Sequence, residues 1–369
     1  MHIVHCLTHS IHGGGQAVPY LLVKNFLQFY PHVTHTVILP SNGIYCERFR
    51  SLGVSVVEFP FNTINPLNFF RIRSVLSKLQ PDIIHTHGRG AGLYVRTISK
   101  DAIGAKRVHT HHGFHLPENN FLQFIFKIVE RFYLTKTDII ISVSQSEAEI
   151  ISNVLPASKK KIKIIQNVVD FEEIQHRASL TNDARFANIV PTINDIFTVI
   201  MIGRKDAVKN YRLAFKSAEN VLTKRKDIIF FFVGINSNDS TFVSLKKHFP
   251  THCYAFGSIE NPLPLLAHSS ALLLTSKREG APLTVLEAFA LGKPVIGTKV
   301  RGIRDYVHHE ENGLLVEENS ESVAKAIIKL KDDDTLYRKL SVNALSYNNK
   351  QSVEQWVGEY YSIYTKFKE

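Results

Sequence analysis

The segment Ser276-Lys-Arg-Glu-Gly-Ala-Pro-Leu-Thr-Val-Leu-Glu-Ala-Phe-Ala-Leu-Gly-Lys-Pro-Val-Ile-Gly297 places two carboxylates on one stretch, Glu279 in a loop and Glu287 on the helix that follows. A carboxylate low on such a helix can accept hydrogen bonds from ribose hydroxyls. One at its entry, beside flexible Gly280 and helix-start N–H groups, can meet a sugar or a phosphate. Upstream, Gly203-Arg204-Lys205 leaves a strand directly, and Lys209 follows at the start of a helix. Arginine offers a planar fork, lysine a point charge, and the helix dipole adds to both, so the pair suits a diphosphate. These residues read as half of a nucleotide-sugar site.

Gly13-Gly14-Gly15 lies between a first strand and a helix expected from about Gln16 to Phe29, where its backbone can approach a phosphate or sugar. Its spacing is not that of a dinucleotide fingerprint, and a tight turn explains it equally well. Thirteen of the 18 histidines precede residue 185, with clusters at His85-Thr-His87 and His109-Thr-His111-His112-Gly113-Phe-His115. Such crowding suggests zinc, but the ligands would come from loops without a regular motif and without a nearby thiolate. A neutral imidazole at a strand end can instead hydrogen-bond a sugar hydroxyl, and His112 is the first choice for that role. For His85 and His87, packing and ligand contact stand level. Asp332-Asp333-Asp334 contains an Asp-x-Asp pattern but trails a polar helix, where a solvated turn accounts for it. The apolar stretch Phe121–Tyr133, with Lys127 and Arg131, could touch a membrane, and packing against a sheet is the preferred reading.

The 369 residues, 44% hydrophobic and 21% charged, are globular in composition and too long for one ordinary core. No apolar run is long enough to span a bilayer, and the start lacks the layout of a secretory signal, so a cytoplasmic protein is expected. Three scattered cysteines, Cys6, Cys46 and Cys253, fit a reducing compartment. The net charge of +11 is weighted toward the first half and invites phosphorylated ligands, anionic lipid or nucleic acid as partners.

Short apolar strands alternate with amphipathic stretches along both halves, the grammar of parallel sheets with crossover helices. The expected division is a first Rossmann-like domain over 1–170, a linker over 171–195 and a second domain over 196–351. The last stretch, 352–369, is expected to pack back on the first domain. Two open α/β domains facing across a cleft would put the chemistry at strand C-terminal ends.

With these residues in place, the chain resembles retaining glycosyltransferase family 4, of the GT-B fold. The resemblance rests on Glu279 and Glu287, Gly203-Arg204 with Lys209, the glycines after strand one, His112-Gly113, and the link Gln166-Asn167-Val168-Val169-Asp170. It covers nearly the whole chain and is strongest for members that build bacterial surface polysaccharides. It implies that Arg204 and Lys209 hold the donor diphosphate, Glu287 the ribose, Glu279 the transferred sugar and His112 a donor-sugar hydroxyl. The backbone at Gly14, Gly15, Leu283 and Thr284 would approach phosphate or sugar, and the Gly257–Ile259 turn would border the base. It further implies retention of anomeric configuration with no metal ion and no cofactor, a nucleotide-sugar donor and a sugar or lipid-linked acceptor. The link departs from the family's Asn-Gly-Val-Asp by carrying Val168.

Two other readings stay open from sequence. A nucleotide-sugar epimerase of the same plan would convert its sugar without an acceptor. A nucleic-acid-binding protein would use the basic first domain, although no recognition motif or aromatic-basic interleaving is present.

Overall fold

A computed structural model describes residues 1–11, 13–180, 196–347 and 351–367. The chain forms two compact units, Met1–Asn167 with Val353–Glu369, and Val168–Ser352.

The first unit runs β1 (His2–Leu7), α1 (Gly14–Phe29), β2 (Thr34–Leu39), α2 (Ile44–Ser51), β3 (Ser55–Glu58), α3 (Pro66–Leu79), β4 (Ile83–His87), α4 (Arg89–Thr97), β5 (Lys106–Thr110), α5 (Asn120–Thr135), β6 (Ile139–Ser142), α6 (Gln145–Val154) and β7 (Ile162–Ile164). Its sheet is parallel, ordered β3-β2-β1-β4-β5-β6-β7. The second unit runs α7 (Phe171–Ser179), β8 (Phe197–Ile202), α8 (Tyr211–Leu222), β9 (Ile228–Val233), α9 (Ser240–His248), β10 (Cys253–Ala255), α10 (Leu263–His268), β11 (Ala271–Leu274), α11 (Leu283–Ala290), β12 (Val295–Thr298), β13 (Gly313–Val316), α12 (Ser320–Asp332) and α13 (Asp334–Tyr347). Its parallel sheet is ordered β10-β9-β8-β11-β12-β13. Helices on both faces explain a strand such as β9, Ile-Ile-Phe-Phe-Phe-Val, in which every residue is buried. Strand order reverses between β1 and β4 in one sheet and between β8 and β11 in the other. Chains leaving such neighbours diverge and open a crevice for ligands at the strand ends.

The final helix, α14 (Val353–Thr365), packs on α1 in the first unit, with Trp356, Tyr360 and Tyr364 buried. Its Tyr361 stacks on Tyr30 at 4.0 Å between ring centroids.

Three local features differ from the sequence expectation. The expected linker begins with α7, which Asp170 caps by accepting from the Glu173 N–H at 3.0 Å, and which buries Ile174 and Ala178 in the second unit. With only two buried positions, one turn apart, its periodicity is too short to register in sequence. Residues 181–195 lie outside those described. Val168, at the position of the family's glycine, has no positive φ, so the backbone does not call for glycine there.

The second difference is α1, which begins at Gly14 rather than near Gln16 and takes Gly14 and Gly15 as its first residues. Gly13 precedes it without any side-chain cap. The third is α5, where packing uses Glu130, Tyr133 and Leu134 while Phe121, Leu122, Phe124, Ile125, Ile128 and Phe132 are exposed. Leu67 and Phe70 of α3 are exposed as well. The preferred packing reading therefore fails for most of the α5 apolar face. Helical amphipathicity reveals an apolar face but not what covers it. No helix among the described residues is long and apolar enough to cross a membrane.

Candidate functional site

In the second unit the chain leaves β8 at Gly203, whose N–H donates to the Val233 carbonyl at 3.0 Å. Tyr211, the first residue of α8, lies with its hydroxyl 2.6 Å from both the Gly203 and Val233 carbonyl oxygens and fastens two strand exits to the helix. Gly234, at φ +104°, sits against the same carbonyl, and a Cβ there would come within 1.8 Å of the Gly203 oxygen. Only glycine fits at that point. At the next strand exit the Gly257 carbonyl accepts from the Gly234 N–H at 2.7 Å, and the Gly257 N–H donates to Ile235 at 2.8 Å. Gly203, Gly234 and Gly257 thus form three adjoining exits with bare backbone.

The Lys209 side chain runs across Gly203, where an added Cβ would be 3.2 Å from its Cδ. Its Nζ donates to Glu279 Oε1 at 2.6 Å, and Ser276 Oγ donates to the same oxygen at 2.6 Å. The structure therefore brings together two residues assigned to different parts of the ligand. Glu279 occupies one of the three ammonium donors and holds the cation in place, with the others available to an anion. Arg204 is exposed on the loop between β8 and α8.

Glu279 and Gly280 lead into α11, whose cap residue is Pro282. Proline provides no side-chain acceptor, so the N–H groups of Leu283 and Thr284 begin the helix without a cap, a ready place for an anion. Thr284 Oγ1 is buried without a hydrogen-bond partner among the described residues. One turn on, burial raises the Glu287 carboxyl pKa, while the nearby Arg177 guanidinium opposes the shift. Arg177 projects from α7 and exchanges bonds with Asn261, donating to its Oδ1 at 3.3 Å and accepting from its Nδ2 at 2.7 Å. That clasp ties α7 to the loop carrying Ile259, which is half-buried against the second unit's core.

Sequence reasoning passed over Arg177, Tyr211 and Ser276. No local motif marks Arg177, because its relation to Glu287 exists only once α7 has docked. Ser276 and Glu279, three residues apart, are the one pair that spacing could have suggested.

In the first unit His112 follows β5 in a left-handed conformation, φ +55°, and Gly113 follows at φ +122°. Glu147 holds this turn. Its Oε1 accepts from the Gly113 and Phe114 N–H groups at 2.7 and 2.9 Å, and its Oε2 from Ser142 Oγ and the Val143 N–H at 3.0 and 2.9 Å. Burial raises the Glu147 pKa against these four bonds. Ser144 caps α6 by accepting from the Glu147 N–H, so the Ser-x-x-Glu cap signature at Ser144–Glu147 was the legible clue to this residue. His112 is half-buried, and burial depresses its pKa to about 4, leaving a neutral imidazole near neutral pH.

His85 and His87 are buried rather than presented on a surface. His85 lies between Tyr364 Oη at 2.7 Å and Thr110 Oγ1 at 2.8 Å. His5, His85 and His87 bring ligand-type nitrogens within 4.8 Å of one another. Those nitrogens are engaged in hydrogen bonds with neighbouring side chains, which a metal would have to displace. Asp332 accepts from Arg225 Nη1 on both carboxylate oxygens, at 2.6 and 2.7 Å, and Asp333 accepts from the Leu336 N–H at 2.9 Å, so the acidic run serves a surface helix junction.

Comparison with known proteins relates both halves of the chain to glycosyltransferases. Residues 8–173 match the family described as Glycosyltransferase Family 4, and residues 186–347 match Glycosyl transferases group 1. A UDP-Gal:alpha-D-GlcNAc-diphosphoundecaprenol alpha-1,3-galactosyltransferase of Escherichia coli is 28% identical over 71% of this chain and 69% of its own length. The N-acetyl-alpha-D-glucosaminyl L-malate synthase of Bacillus anthracis is 27% identical over 96% of this chain and 89% of its own. Among solved structures, Anabaena Alr3699/HepE in complex with UDP and glucose superposes with a TM-score of 0.81 at 17% identity, covering 98% of this chain and all of the other. The chain therefore belongs to the glycosyltransferases of the GT-B fold, with a family 4 domain followed by a group 1 domain.

Proposed function

We propose that the protein transfers a sugar, with retention of configuration, from a nucleotide-diphosphate sugar to a hydroxyl acceptor in the assembly of a cell-envelope polysaccharide. The observation that carries this reading is Lys209, held across a bare strand exit by Glu279, which itself leads into an uncapped helix start bearing half-buried Glu287. Breaking the anomeric bond puts negative charge on the leaving diphosphate and positive character on the sugar. Lys209, Arg204 and the α11 N–H groups favour that distribution more than the ground state, so no metal ion is required of the mechanism. Glu287 accepts from ribose hydroxyls, Glu279 positions both Lys209 and the sugar, and His112 meets a sugar hydroxyl. Support for the kinds of substrate comes from the relatives: one is named for a UDP-sugar donor and a lipid-diphosphate acceptor, and Alr3699/HepE was solved with UDP and glucose. An epimerase has no such support among them.

The test is transfer from a panel of nucleotide-sugars, first ranked by thermal shift, to lipid-linked and soluble acceptors. Arg204→Ala and Lys209→Ala should lower turnover strongly with folding intact, and near-normal transfer by both would remove the clamp. Product stereochemistry by NMR decides retention, and full activity after chelation is expected.

The protein also works, on this reading, at an anionic membrane surface on the cytoplasmic side. Apart from buried Glu130, every charged residue of α5 is a cation, and these flank the exposed Phe121, Phe124, Ile128 and Phe132. Apolar insertion combined with positive charge suits anionic lipid. Protein that stays at the bottom of a flotation gradient with anionic vesicles would refute this.

A further inference from the structure

Four imidazoles of the first unit form a continuous row through the sheet. His35 Nδ1 lies 3.2 Å from His5 Nε2, His5 Nδ1 lies 3.3 Å from His87 Nε2, and His87 Nδ1 lies 3.1 Å from His112 Nε2. The row crosses β2, β1 and β4 and ends at the turn after β5. His85, anchored by Tyr364 and Thr110, lies against His87 with ring centroids 4.0 Å apart and the rings tilted by 37°.

Burial keeps all four rings neutral near pH 7, with His35 and His112 at about 4. A neutral imidazole carries one N–H and one bare nitrogen, and each contact in the row needs one of each. Only two proton arrangements satisfy every contact. In one, every ring is protonated on Nδ1, and His112 offers an Nδ1–H beyond the row. In the other, every ring is protonated on Nε2, and His112 offers a bare Nδ1.

The far end separates them. His35 Nε2 is buried and has no hydrogen-bond partner among the described residues. The second arrangement would leave an N–H stranded there, whereas the first leaves only an unfilled lone pair, and stranded buried N–H groups are the rarer of the two.

We infer that His35, His5 and His87 are positioning residues that fix the proton of His112 on Nδ1, making it a hydrogen-bond donor to an oxygen of the bound sugar. The ligand oxygen it meets must then accept, so a hydroxyl or carbonyl oxygen fits that position and an ammonium does not. The sugar as ligand rests on the function proposed above; the proton arrangement itself does not.

Long-range proton–nitrogen NMR on ligand-free protein labelled with nitrogen-15 histidine reads each tautomer directly. The expected result is Nδ1–H at all four rings, and His112 found as Nε2–H would overturn the inference. In His35→Asp, a carboxylate at the end of the row accepts from His5 Nε2–H and should reverse the row, switching His112 to Nε2–H three rings away. His87→Phe should release His112 into a mixture. An unchanged His112 signal in folded samples of these variants would also overturn it. Where His35→Asp does not fold, the native spectrum and His87→Phe decide. In transfer assays His35→Asp should lower kcat about tenfold with nucleotide affinity preserved. Tautomers as stated, with no sugar transfer by the native protein, would keep the row and remove the proposed function instead.

Discussion

Acid should unfold the first unit while the second persists. His5, His35, His85, His87, His109 and His111 are all buried in the first unit, and burial lowers every one of their pKa values, to about 4 for His35 and about 3 for His111. Each is more protonated in the unfolded chain once pH falls below about 6.5, so stability declines as pH drops from there toward the folded values. From pH 7 to pH 5.5 each group costs about 1.2 kcal/mol, about 7 kcal/mol for the six together, against a typical total of 5–15 kcal/mol. Glu147, with a raised pKa, opposes this as it gains a proton, but it is one group against six. Described histidines of the second unit include none that is buried. The chain's single tryptophan, Trp356, is fully buried in the first unit and reports on it selectively. Urea titrations followed by its fluorescence should show the midpoint falling by a few molar between pH 7 and pH 5.5, given a slope of roughly 1–3 kcal/mol per molar. A midpoint unchanged across that range would refute the account of the buried histidines.

Three further outcomes are expected. Glu130 receives two bonds from Arg96, at 2.9 and 3.1 Å, in a buried pair, so Glu130→Gln strands the guanidinium and should cost about 3–5 kcal/mol by the same fluorescence titration. Gly302, at φ +80°, lies where a Cβ would sit 2.5 Å from the Glu279 carbonyl oxygen; Gly302→Ala should displace that loop, weaken binding of the proposed nucleotide-sugar donor in calorimetry and lower the melting temperature. Glu147→Ala leaves the Gly113, Phe114 and Val143 N–H groups without their acceptor, at roughly 1–3 kcal/mol each. Hydrogen exchange should then quicken around 113–114.

Local order was legible in the sequence because it is written locally. Apolar strands alternating with amphipathic stretches foretold both parallel sheets, since a strand covered on two faces must be apolar throughout, as β9 is. Gly203, Arg204, Lys209, Glu279 and Glu287 stood out because strand exits and helix starts bring their own backbone chemistry. What joins them was decided by tertiary structure. Lys209 reaches Glu279 across 70 residues because β8 and β11 are hydrogen-bonded neighbours, an adjacency fixed by strand order rather than by either segment. The histidines show the same division. Their crowding at strand ends was visible, but His5 meets His87 only because β1 and β4 pair with His5 opposite His85, and a slip of one residue would turn those rings to the other face of the sheet.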